Sequence, residues 1–277
     1  MKIALLQLCS SDDPEENLQS LDPMIRAAAA AGAVMVLTPE VTNCVSLSRV
    51  RQADVLYAES DDPMLAALCA LARDLGIWIS IGSLALLTDD PDGRFANRSF
   101  LIDDLGQIRA RYDKIHMFDV QIDAAETFRE SDGYRPGNLA VLADGPGLRV
   151  GLSICYDLRF PQLYRRLAQA GAEMILVPSA FSPVTGAAHW EALLRARAIE
   201  TGCYVVAAAQ TGEHAAKQGA RRRTYGHSMV VDPWGNVLLD AGTKVGISFA
   251  EIDSDTVPAS RARIPSLTHD RDFGGPD

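Results

Sequence analysis

The chain has 277 residues, 48% of them hydrophobic, and a formal net charge of −10. That is ample for a buried core, and it argues against nucleic acid or an anionic membrane as a main partner. No run approaches the length of a membrane-spanning helix, and no linker or low-complexity stretch divides the chain, so one α/β domain over 1–277 is expected. The opening Met1 to Leu6 reads as a strand that turns polar by Ser10, too soon for a signal peptide. Ala33-Val34-Met35-Val36-Leu37-Thr38 is a second apolar strand, stopped by Pro39. It leaves Glu40 at its carboxyl end, where open α/β folds place their sites. Gln107-Ile108-Arg109-Ala110-Arg111-Tyr112 alternates polar and apolar residues and leads to Lys114. The apolar run Leu148 to Ile154 ends at Cys155, and Tyr164 to Ala168 reads as helix. A thiol at such a junction has free backbone N–H groups and a helix N-terminus beside it, which lower a thiol's pKa and can bind an oxyanion. Cys203, by contrast, reads as a packing cysteine inside a strand. The tail 273–277 is expected to be flexible.

Two stretches of the chain repeat each other. Ala31-Gly32-Ala33-Val34-Met35-Val36-Leu37-Thr38-Pro39 recurs as Ala170-Gly171-Ala172-Glu173-Met174-Ile175-Leu176-Val177-Pro178. Leu101-Ile102-Asp103-Asp104-Leu105-Gly106 matches Val230-Val231-Asp232-Pro233-Trp234-Gly235, two hairpins with Asp-x-x-Gly turns. Ile3 to Leu6 pairs with Val150 to Ser153, and Trp78 to Gly82 with Tyr204 to Ala208. The unit strand–helix–strand–helix–strand–hairpin is therefore written twice. Its apolar strands need cover on both faces, which two packed sheets with helices outside each would give. Where the first copy has Glu40 the second has Ser179, so one reaction centre is expected.

Glu40, Lys114 and Cys155 form a chemically complete set. A carboxylate can take a thiol proton, a thiolate can attack a carbonyl, and an ammonium can stabilise the resulting oxyanion. Among the histidines, 116, 189, 214, 227 and 269, His116 is the rival partner for a Cys–His dyad. No His or Cys spacing supports a metal. The five cysteines (9, 44, 69, 155 and 203) predict a reduced, cytoplasmic setting with free thiols. Arg221-Arg222-Arg223 reads as a solvated loop.

The motifs Pro39-Glu40, Tyr112-Asp113-Lys114-Ile115-His116 and Gly151-Leu152-Ser153-Ile154-Cys155-Tyr156-Asp157 resemble the nitrilase (carbon–nitrogen hydrolase) superfamily, from Lys2 to about Asp272. His189 to Glu200, Tyr204 to Gln210 and Tyr225 to Gly235 resemble its Nit group, nearer the deaminated-glutathione branch than the ω-amidases. The resemblance implies an α-β-β-α sandwich, a homodimer or higher homo-oligomer, and a cofactor-free amidase acting on a small-molecule amide through a thioester. It implies Glu40 as base and the Tyr156 N–H as an oxyanion donor beside Lys114. Glu130 matches a second glutamate beside the lysine, and Arg159, Phe181 and Thr185 match residues that hold a keto-acid amide. An ω-amidase, a nitrilase and an idle scaffold are the alternatives. The chain departs from the pattern at Val41-Thr42-Asn43-Cys44, where relatives carry aromatic residues, and over Gly212 to Arg223.

Overall fold

The computed structural model describes residues 1–121 and 127–276, and Asp277 at the tip of the expected tail lies outside them. The first copy runs β1 (Lys2–Gln7), α1 (Pro14–Ala30), β2 (Met35–Leu37), α2 (Arg49–Val55), α3 (Pro63–Leu75), β3 (Trp78–Leu86), β4 (Ala96–Ile102) and β5 (Ile108–Asp113). A small hairpin, β6 (Asp119–Gln121) and β7 (Thr127–Arg129), and the strand β8 (Val141–Asp144) lead to the second copy. This runs β9 (Arg149–Leu152), α4 (Pro161–Gln169), β10 (Met174–Leu176), α5 (Pro183–Thr201) and β11 (Tyr204–Ala207). The hairpin β12 (Thr211–Glu213) and β13 (Arg223–Tyr225) precedes β14 (Met229–Val231) and β15 (Val237–Asp240), and β16 (Gly246–Glu251) and α6 (Thr256–Arg263) follow.

The two copies build two six-stranded sheets of the same design, β16-β1-β2-β3-β4-β5 and β15-β14-β11-β10-β9-β8. In each, three parallel strands are flanked by an antiparallel hairpin on one side and a single antiparallel strand on the other. The hairpin turns match as well. Asp103 accepts from the N–H groups of Leu105 and Gln107, and Asp232 accepts from those of Trp234 and Asn236. Gly106 and Gly235 supply the positive φ of 76° and 90° that each turn needs.

The pleat sorts the core. Ala4 and Leu6 of β1 join Leu21, Ile25 and Ala28 of α1 and Leu65, Leu68 and Leu71 of α3. Ile3 and Leu5 point the other way, into a core shared with Val150, Leu152, Met174, Leu176 and Val206 of the second sheet. Leu163, Leu167, Trp190 and Leu194 of α4 and α5 cover that sheet outside. The result is an α-β-β-α sandwich, as the repeat predicts.

The copies meet at Gly82. A Cβ there would lie 2.1 Å from the Thr38 carbonyl oxygen, 2.4 Å from that of Pro39 and 2.5 Å from the Pro178 side chain. Only a glycine lets the two proline turns, one from each copy, pack against each other across β3.

Candidate active site

Three strands, β2, β5 and β9, each deliver one polar side chain just beyond their ends to one cavity. Glu40 follows β2 and Pro39, and its neighbour Val41 is held at φ 47°, donating its N–H to Ser83 Oγ at 2.7 Å. Cys155 follows β9 and itself sits at φ 49°, its N–H donating to the Pro178 carbonyl at 2.9 Å. Such a conformation costs a β-branched or bulky residue about 1–3 kcal/mol, and it persists only where surrounding bonds over-determine it. Lys114 follows β5, its backbone clamped by Asn97 and Gly137.

Lys114, Glu40 and Cys155 are 2%, 3% and 6% exposed, so the charges among them are paired almost without solvent. Lys114 Nζ donates to Glu40 Oε1 at 2.8 Å and to both oxygens of Glu130, at 2.9 and 2.8 Å. Asn97 Nδ2 donates to Glu40 Oε1 at 2.9 Å, and the Ala180 N–H to Glu40 Oε2 at 2.9 Å. Gln210 Nε2 holds the Glu40 carbonyl at 3.1 Å, and the Phe118 N–H donates to Glu130 Oε2 at 2.6 Å. The Cys155 thiol lines the same cavity and feels the charges of both Glu40 and Lys114. The N–H of Tyr156, next in the 3₁₀ turn Cys155–Arg159, has no acceptor among the described residues.

Burial pushes the Cys155 thiol far above the ordinary thiol range, and the Glu40 charge adds to it against the Lys114 charge and the Ala180 N–H. This corrects the expectation of a thiol acidified by its turn: desolvation outweighs the dipoles. For Glu40, burial acts upward, but the charges of Lys114 and Arg222 outweigh it and hold the carboxyl below its usual value. Burial acts downward on Lys114, yet Glu130 and Glu40 hold its ammonium well above the ordinary range. The resting site is therefore a neutral thiol that shares its cavity with a carboxylate paired with an ammonium.

These groups open on a cavity of about 420 Å³, within the range of small-molecule sites. Phe181, Thr185, Tyr156 and Glu130 line it with the three central residues. Arg159 does not. Its guanidinium lies 5.9 Å from the Tyr156 ring centre and 5.7 Å from that of Phe181, with His189 Nδ1 at 3.3 Å. His116 is not placed to serve the thiol, because its Nδ1 is 2.7 Å from Asp157 Oδ1 and its ring stacks on Phe160. Cys203 is fully buried, as a packing cysteine should be, but it lies in the turn before β11 and not within a strand.

Some participants went unseen in the sequence. Asn97 shares an inward parity on β4 with Ser99 and Leu101, and a polar residue there was the available signal. Arg222 was read with its neighbours as solvated loop. Arg221 and Arg223 are exposed, but Arg222 lines the cavity and donates to the Ala180 carbonyl at 2.7 Å. Nothing in the triplet distinguishes its middle member until β12 and β13 pair around it. Among the described residues, no group of three or more His, Cys, Asp or Glu is arranged to hold a metal ion, and no helix is long and apolar enough to cross a membrane.

The carbon–nitrogen hydrolase family matches residues 2–262. A deaminated glutathione amidase from Yersinia enterocolitica is 42% identical over 97% of this chain and 92% of its own length. The crystal structure of the NitFhit protein from C. elegans is 42% identical with a TM-score of 0.89, covering 98% of this chain and 65% of that one. Saccharomyces cerevisiae Nit3, described as a member of branch 10 of the nitrilase superfamily, is 30% identical with a TM-score of 0.85, over 99% of this chain and 97% of its own.

Proposed function

This chain belongs to the carbon–nitrogen hydrolase family and is an amidase of its Nit branch, and we propose that it hydrolyses deaminated glutathione through Glu40, Lys114 and Cys155. The observation that carries the reading is that the buried Glu40–Lys114 pair and the Cys155 thiol line one cavity. A binding module has no need for a base, an ammonium and a nucleophile aligned in that order.

In this mechanism Glu40 takes the thiol proton as sulfur bonds to the amide carbonyl carbon. The carbonyl electron pair moves to oxygen, where the Lys114 ammonium and the Tyr156 N–H receive it. The C–N bond then breaks, Glu40 passes its proton to the departing nitrogen, and a thioester remains on Cys155. Glu40 next deprotonates water; the hydroxide adds to the thioester, the C–S bond breaks, and the sulfur recovers its proton. One amide and one water become one acid and one amine, with no cofactor. Because the thiol is pushed up by burial, its deprotonation is coupled to attack and not completed beforehand. Glu130 touches the same ammonium and keeps Lys114 charged and aimed.

Deaminated glutathione carries a keto-acid carboxylate at the far end of its acyl chain and a Cys-Gly tail on the scissile nitrogen. In this reading Phe181 and Thr185 line the acyl chain, and Arg159, outside the cavity lining and packed on the Phe181 and Tyr156 rings, reaches past those rings to the keto-acid carboxylate. Five unpaired cysteines support a reducing, cytoplasmic location. The reading includes a single domain that assembles as a homo-oligomer, to be measured by sedimentation. The test is kcat/KM for deaminated glutathione against α-ketoglutaramate, which shares its acyl half, with Cys-Gly and ammonia quantified. Preference for the longer substrate is expected; equal or reversed preference moves the protein to ω-amidase, and turnover of neither withdraws the reading.

A further inference from the structure

The cavity holds a cation, Arg222, whose charge helps hold Glu40 below its usual value but which meets no reacting atom in the catalytic scheme. Arg49, Arg129 and Arg222 all line the cavity, but Arg49 and Arg129 are exposed, whereas Arg222 is half-buried. Ion pairs at exposed sites are worth little, so Arg222 is the member of the three able to contribute recognition. Its guanidinium has five N–H donors. One end, Nη2, is tied to the Ala180 carbonyl at 2.7 Å, and no carboxylate forms an ion pair with it among the described residues. Phe128 lies under it, 5.9 Å from ring centre to guanidinium carbon. Close by, the Ser182 hydroxyl is buried without a hydrogen-bond partner, on a residue that is 3% exposed and lines the same cavity. A tethered, half-paired guanidinium and an unsatisfied hydroxyl in one cavity are complementary to a carboxylate, which accepts from both.

The side of the cavity identifies which carboxylate. Ala180 stands between the two charged groups: its N–H donates to Glu40 Oε2 and its carbonyl accepts from Arg222. Glu40 is the group that hands a proton to the departing nitrogen, so the leaving group lies on Glu40's side. Arg159 is held elsewhere, against the Tyr156 and Phe181 rings. We propose that Arg222, with Ser182, binds the terminal carboxylate of the leaving group, so that the site selects amides whose amine product is an anionic dipeptide over those that release ammonia. This rests on the amidase reading above and specifies the half of the substrate that reading leaves open.

The test compares three substrates with one acyl half: α-ketoglutaramate, deaminated glutathione, and deaminated glutathione whose glycine carboxylate is a carboxamide. Wild-type protein should favour the carboxylate over the carboxamide by on the order of tenfold to a hundredfold in kcat/KM, mostly through KM. Arg222→Ala should remove that preference, and Arg222→Lys should keep part of it, because it keeps charge without the fork. Should Arg222→Ala fail to fold by circular dichroism, Ser182→Ala and Arg222→Lys carry the same comparison. Equal rates on carboxylate and carboxamide in wild-type protein would overturn the assignment. So would a preference that survives Arg222→Ala, or equal losses on all three substrates, which would mean that Arg222 acts only through Ala180 and Glu40. A protein that hydrolyses none of the three fails at the amidase reading itself, a result distinct from activity without preference.

Discussion

The Tyr112 hydroxyl donates to Asp157 Oδ2 at 2.6 Å, and this bond ties the strand that ends at Lys114 to the turn that begins at Cys155. The Ile154 N–H donates to the same oxygen at 2.9 Å, and the His116 N–H to Oδ1 at 3.0 Å. Asp157 is fully buried and accepts from both sides of Lys114 and from the residue before the thiol. The distance between ammonium and sulfur is thus set by a carboxylate that touches neither.

Tyr112→Phe should therefore lower kcat by about tenfold while leaving KM nearly unchanged, since it loosens the placement of catalytic groups and not the cavity wall. It should also cost about 1–3 kcal/mol in urea unfolding, because a buried carboxylate loses one of its donors. A stability loss with kcat intact would reduce the network to a structural role.

Cys155→Ala should abolish turnover and leave the circular dichroism spectrum unchanged, because loss of one thiol at a turn opens little volume. Mass spectrometry of wild-type protein should trap an acyl adduct on Cys155 alone. Since burial raises the thiol, its alkylation by iodoacetamide should be slow and should keep climbing with pH between 6 and 8, where an acidified cysteine levels off. A fast rate that levels off in that window would mean that the thiolate is preformed.

Lys114→Arg keeps the charge but carries it on a larger planar group, so kcat should fall by on the order of a hundredfold or more. Glu40→Gln should be at least as severe, because an amide cannot accept the thiol proton. If the arginine variant retained near wild-type kcat, Lys114 would be only the counter-ion of Glu40 and Glu130.

The central residues were legible in the sequence because Glu40, Lys114 and Cys155 each stand at the end of a strand whose hydrophobic pattern is unambiguous. The sandwich was legible because the chain states its unit twice. Ionisation was not: the turn around Cys155 is readable, but the burial and charges that set its thiol come from groups distant in sequence, such as the Glu40 and Lys114 side chains and the Ala180 N–H. Arg222 was hidden for the same reason, since its neighbours are Ala180 and Phe128 and not Arg221. The unusual Val41-Thr42-Asn43-Cys44 stretch proves to be wholly buried, with Asn43 bonded both ways to the Ala85 backbone at 2.8 and 2.9 Å.

The loop between β12 and β13 adds a pH dependence. Burial lowers the pKa of His214 from 6.5 to about 4, against the bond between its Nδ1 and the Ser10 carbonyl, so the folded protein keeps this ring neutral. The unfolded chain binds the proton more readily, so this contribution is complete above about pH 6.5 and is lost as pH falls toward 4. Between pH 7 and 4.5 the wild type should lose about 2–3 kcal/mol more unfolding free energy than His214→Gln. Parallel curves for the two proteins would show that the ring takes up its proton without unfolding.

The order of strands also has a consequence for biosynthesis. β1 has as its outer neighbour β16, which follows it by most of the chain, with Lys2 opposite Glu251 and Gln7 opposite Gly246. Until the ribosome has delivered Gly246 to Glu251, the first sheet presents an open ladder along β1. An unpaired apolar edge of this kind recruits strands from other molecules. Chains stopped just before Gly246 should accumulate as aggregates, and an added peptide spanning Gly246 to Glu251 should compete for that edge and keep them in solution.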